Sequence, residues 1–161
     1  MAARFSVIEQ HFRELDLRDI PDSILLKGIR RTYRRCWRGL QKLHAEPGTD
    51  ISHELRWQAG YAWIQLRLLD NRHPHRLKPF IAGLDRLGKL LGQDSDLAMP
   101  VDALQRHQEI GCSRVRTEFV IALAESRRIA LLTTGLKLAD RLFAEPPERF
   151  GAWLQHGNGH H

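Results

Sequence analysis

"ILLKGIRRTYRRCWRGLQKLHA", residues 24–45, decides the fold class. At ~100° per residue, Leu25, Leu26, Ile29, Tyr33, Cys36, Trp37, Leu40 and Leu43 fall on one side of a helix. Lys27, Arg30, Arg31, Arg34, Arg35, Arg38 and Lys42 fall on the other, within an arc of roughly 140°. Apolar residues three and four apart over six turns give an amphipathic helix and no strand. The polar side holds seven cations and no carboxylate. The pairs 27/31, 30/34, 31/35, 34/38 and 38/42 are like-charged i,i+4 neighbours, each destabilising an exposed helix by about 0.2–0.5 kcal/mol. Two arrangements would offset that repulsion: acids on a neighbouring helix, or a bound polyanion whose phosphate oxygens suit guanidinium forks.

Helical spacing continues outward from this segment. Phe5, Ile8, Phe12 and Leu15 stripe a first helix ahead of "DIPDS", where Asp22 or Ser23 can cap the second, Ile24 to Ala45. Thr49 or Asp50 caps a third helix over Ser52–Leu69, broken by "DNRHP". Leu77, Phe80, Ile81, Leu84, Leu87 and Leu91 stripe a fourth that Gly92 should end. Asp94 and Asp96 open a fifth that Pro100 interrupts. A long sixth covers Ser113–Ala144, and "EPPERFGAWLQ" reads as a short last helix with Pro147 in its first turn. The expectation is an all-α bundle of six to seven helices. One domain spans residues 1–155, followed by a disordered polar tail at 156–161.

The chain has 161 residues, 42% hydrophobic and 27% charged, with a net charge of +6. That length suits one core, and the charge favours an anionic partner. No apolar run approaches the ~20 residues of a membrane span, no signal peptide precedes the first helix, and Cys36 and Cys112 form no metal or disulfide pattern. A soluble, cytoplasmic, reduced protein is expected.

In "HELRWQAGYAWIQLRLL", His53, Arg56, Gly60 and Arg67 line one stripe, and apolar residues wrap the remainder. So apolar a helix should be largely enclosed, leaving its His and two Arg in need of partners. "GLDRLGKL", residues 83–90, nearly spells a P-loop, but both glycines sit inside a leucine-striped helix and Leu90 replaces the Ser/Thr. The acids of "DSD" are read as helix caps rather than metal ligands. His73 with His75, and His160 with His161, lack further ligands at metal spacing. No catalytic constellation, cofactor motif or metal site is visible.

"GIRRTYRRCWRGL", "HELR…WIQLRLL", "LDRLGKLLGQDSDLAM" and "ALAESRRIALLTTGLKLADRLFAEPPERF" together, in this order over about residues 24–150, resemble the CHAD family of conserved-histidine α-helical domains. The resemblance is to the second half of that domain only. It implies an all-helical fold around a basic channel and non-catalytic binding of inorganic polyphosphate. Under it, His53 matches the histidine of the name, Arg56 the arginine three residues on, and Tyr33 with Arg34 and Arg35 the tyrosine-basic run. Asp94 and Asp96 match the LG-x-D-x-D turn. Trp57, Gln58 and Gly60 stand where the family carries more basic residues, and Ser95 where a histidine is common.

The expected phosphate contacts are Lys27, Arg30, Arg31, Arg34, Arg38, His53, Arg56 and Arg67, with Lys137 and Arg141 from the last long helix. A helical scaffold docking an acidic protein is the alternative. Nucleic-acid binding ranks third, because no exposed aromatic stacking platform is evident. A half-domain also calls for a homodimer that would cover the arginine face and the apolar rim around Trp57 and Trp63.

Overall fold

A computed structural model describes residues 20–46, 48–70, 77–106 and 114–156. These form five helices: α1 (Asp22–Ala45), α2 (Thr49–Asp70), α3 (Lys78–Arg106), α4 (Arg114–Leu142) and α5 (Pro147–His156). There is no strand among the described residues. The all-α class holds, and the described residues hold five helices, against six to seven expected over the chain. The helix expected around Phe5–Leu15 and residues 157–161 of the expected tail lie outside the described residues, whereas His156, also expected in the tail, is the last residue of α5. Among these residues, no helix is long and apolar enough to cross a membrane.

α1 packs on α2, α2 on α3 and α3 on α4, and the short α5 folds back onto α1. Leu25, Ile29, Cys36, Leu40 and Leu43 of α1 are buried against Leu55, Ala59, Leu66 and Leu69 of α2. This is the apolar side of the opening segment. Its opposite side is therefore turned to solvent.

An aromatic knot closes the bundle. Tyr33 stacks on Phe150 with ring centroids 3.8 Å apart, meets Phe143 edge-on, and lies near Phe80, so α1, α3, α5 and the turn after α4 converge on one ring. Its hydroxyl donates to the carbonyl of Glu145 at 2.7 Å. Burial first, then the nearby Glu145 carboxylate, pushes the Tyr33 phenol well above its ordinary pKa. Tyr33 is a fastener of the fold and not a ligand contact. Cys36 beside it is fully buried, its thiol pushed up to about 12 by burial. A thiol so protonated and enclosed is unreactive.

Two expected boundaries are corrected. α3 runs unbroken through both Gly92 and Pro100. The buried positions Leu84, Leu87, Leu91, Asp94, Ala98 and Val101 continue one stripe across them, so packing overrides the local stop signals. Gly92 is a close-approach glycine: a Cβ there would stand 3.4 Å from the Arg56 guanidinium on α2. Nor do Asp94 and Asp96 cap a helix, since both lie mid-helix. Asp94 is 3% exposed and accepts from Arg128 Nε of α4 at 3.1 Å, with Arg128 itself 16% exposed. Arg128 also reaches Glu125 at 3.2 Å. The start of α1 is corrected too, as Pro21 occupies the N-cap and no side chain caps it.

Candidate functional site

The α1 cations separate into two groups. Arg30 is half-buried, donating to the Gly151 carbonyl of α5 at 3.1 Å, with its Nε buried and unpartnered. A Cβ on Gly151 would come within 3.0 Å of that Nε, so the glycine admits the arginine and Arg30 is a packing residue. Arg34 lies 3.9 Å from Glu148, with both side chains at least half exposed. A surface pair that long contributes little.

Lys27, Arg31, Arg35, Arg38 and Lys42 are exposed, and no hydrogen bond or ion pair holds any of them among the described residues. Neutralisation by a neighbouring helix therefore reaches Arg34 weakly and stops there. Arg35 and Lys42, absent from the expected contact set, belong to this face by geometry. Their position in the cationic arc was the available signal.

On α2 the expectation of an enclosed helix is corrected. Trp57, Tyr61 and Ile64 are 55%, 51% and 51% exposed and form an outward ridge at i, i+4, i+7. His53 is exposed at one end of the ridge and accepts from Trp57 Nε1 at 2.7 Å through its Nε2. Trp57, at a position where the resemblance implies a basic residue, thus engages the histidine instead.

Arg56 and Arg67 sit on the flank of α2 that faces α3. There a cleft of about 410 Å3 is lined by Arg56, Gly60, Trp63, Asp85, Lys89 and Asp96, among others. A second lobe of about 450 Å3 shares Trp63 and Asp85 and adds Arg67, Asp70 and Lys78. Gly60 and Gly88 leave open space where a Cβ would stand, which keeps the first lobe open. The Arg67 guanidinium lies 4.6 Å over the Trp63 ring, a cation–π contact that holds it along the wall. Lys89 and Asp85 pair at 2.6 Å, and Asp70 Oδ1 is buried without a partner. The cleft thus mixes signs, whereas the α1 face is purely cationic.

The expected contacts are therefore distributed. Lys27, Arg31, Arg34 and Arg38 share the outward side of α1, Arg56 and Arg67 share the α2–α3 cleft, and His53 stands on the α2 ridge. Lys137 and Arg141 are exposed on α4, on either side in sequence of Asp140, which accepts from His44 of α1 at 2.7 Å. The near P-loop is helical throughout, with Gly83 and Gly88 both inside α3. Among the described residues, no group of three or more His, Cys, Asp or Glu could hold a metal. Comparisons with protein-family models, with curated proteins and with solved structures find no match to this chain.

Proposed function

We propose that this protein binds inorganic polyphosphate, without catalysis, through the outward face of α1. The observation that carries the reading is the row Lys27, Arg31, Arg35, Arg38 and Lys42, exposed and without an ion pair among the described residues. Successive i,i+4 members stand ~6 Å apart along the axis, so a flexible phosphate chain can meet several of them at once. Guanidinium groups offer paired donors to phosphate oxygens, and each contact displaces counterions. The order of motifs resembling a CHAD half-domain points the same way. Arg56 and Arg67 add donors only where the chain turns into the α2–α3 cleft, with Asp85 and Asp96 opposing an anion there.

A second reading, single-stranded nucleic acid, gains from one observation. Trp57 and Tyr61 are exposed with ring centroids 6.5 Å apart, a short aromatic platform of the kind bases stack on. The sequence alone did not reveal it, because α2 reads as enclosed.

Side-by-side titrations of polyphosphate and single-stranded RNA of equal charge count separate the two. Polyphosphate is expected to bind more tightly, and a Trp57→Ala/Tyr61→Ala variant should keep that affinity within about twofold, because stacking contributes only where bases are present. Equal or tighter RNA binding, lost in the variant, would shift the reading to nucleic acid. Binding of neither would leave an acidic protein as the partner of the stripe.

A further inference from the structure

We propose that the outward face of α4 is a self-association surface that pairs, antiparallel, with the same face of a second copy. Val115, Phe119, Leu123 and Ile129 are 73%, 69%, 63% and 66% exposed, far more than large apolar side chains on an isolated surface normally show. They are not scattered. At ~100° per residue, Val115, Phe119, Ala122, Leu123, Ser126, Ile129, Ala130 and Thr133 occupy one arc of roughly 120°. Arg116, Glu118, Glu125, Arg127 and Arg128 all fall outside it. α4 is thus apolar on two sides: one faces α3, and nothing among the described residues covers the other. A helix of that composition is ordinarily enclosed.

Two features favour a second copy of this chain as the occupant. The molecule carries a net charge of +6, so copies repel across most of their surfaces. The α4 strip is an uncharged surface where they can meet, unlike the α1 face expected from sequence to pair. The strip is also self-complementary by size. A two-fold axis between Ala122 and Leu123 sets Phe119 over Ser126 of the partner subunit. It also sets Val115 over Ala130 of the partner subunit and Leu123 over Ala122 of the partner subunit. Large side chains then meet small ones at each of these crossings, which lets the helices approach closely. A strip ~27 Å long and ~10 Å wide covers ~270 Å2 of each copy, below the ~1,200 Å2 total of stable interfaces, so the pairing is weak and transient. The dimer is therefore concentration-dependent and isologous.

Sedimentation equilibrium of the full chain, from low micromolar to near-millimolar protein, should show a mass rising from 18.6 kDa toward twice that value. Phe119→Glu should hold it at the monomer mass with an unchanged circular dichroism spectrum, because the residue is exposed. In a Cys112→Ser background, Ala122→Cys next to the axis should form an intermolecular disulfide on mild oxidation, with Cys36 too buried to compete. Val115→Cys should not, since its two copies stand ~22 Å apart along the helices. A monomer at every concentration overturns the proposal. So does a dimer that survives Phe119→Glu, or crosslinking at position 115 in place of 122.

Discussion

Asp94→Ala is expected to destabilise the fold by about 3 kcal/mol, because it strands the buried Arg128 guanidinium without its main acceptor. The lower part of the range for broken buried pairs applies, since Glu125 still reaches Arg128. Thermal unfolding should show a midpoint lowered by roughly 6–12 °C. The double replacement Asp94→Leu/Arg128→Met should recover most of that loss, as a well-packed apolar pair removes the charge left behind. A single variant within about 0.5 kcal/mol of the parent would show that water reaches the pair. α3 and α4 would then be held by their leucines alone.

Reversing Arg31, Arg35 and Arg38 to Glu should lower polyphosphate affinity by at least about 1,000-fold, three charge-assisted contacts each contributing ~1.5 kcal/mol or more. The same variant should unfold within about 1 kcal/mol of the parent. All three side chains are exposed, and the i,i+4 pairs 27/31, 34/38 and 38/42 turn from repulsive to attractive, while 31/35 stays like-charged. Isothermal titration and chemical denaturation read the two quantities separately. Lost stability would show instead that the stripe is internally neutralised. Arg30→Glu makes the useful contrast: it should weaken the α1–α5 packing at Gly151 and therefore stability first.

How far the sequence could be read depends on the range of the signal. The two-sided character of α1 was legible because both of its faces are written within one helix, and Tyr33, Cys36, Leu40 and Leu43 land in the core as their spacing requires. α3 was misread because Gly92 and the Asp94–Asp96 pair are local stop-and-start signals, while the stripe that overrides them closes only against Arg56 and Arg128 on other helices. Arg30 and Arg31 are adjacent and chemically identical, yet one packs on α5 and the other faces solvent. That difference is made by Gly151, 121 residues away, and no periodicity within α1 contains it. The α2–α3 cleft was half legible: Arg56, Gly60 and Arg67 share a stripe, but Asp85, Lys89 and Asp96 join them only through helix pairing. On α2, composition suggested enclosure, and only the packing of its neighbours leaves Trp57, Tyr61 and Ile64 outside.

The salt dependence of polyphosphate binding tests the central claim most directly. If Lys27, Arg31, Arg35, Arg38 and Lys42 each displace one counterion from a single-stranded polyanion, log K should fall with log salt at a slope of about −3.5. The triple glutamate variant should bind too weakly for a slope of that size to be measured. A wild-type slope near zero, or a slope of about −3.5 retained in the variant, would contradict the assignment of the ligand to the α1 face.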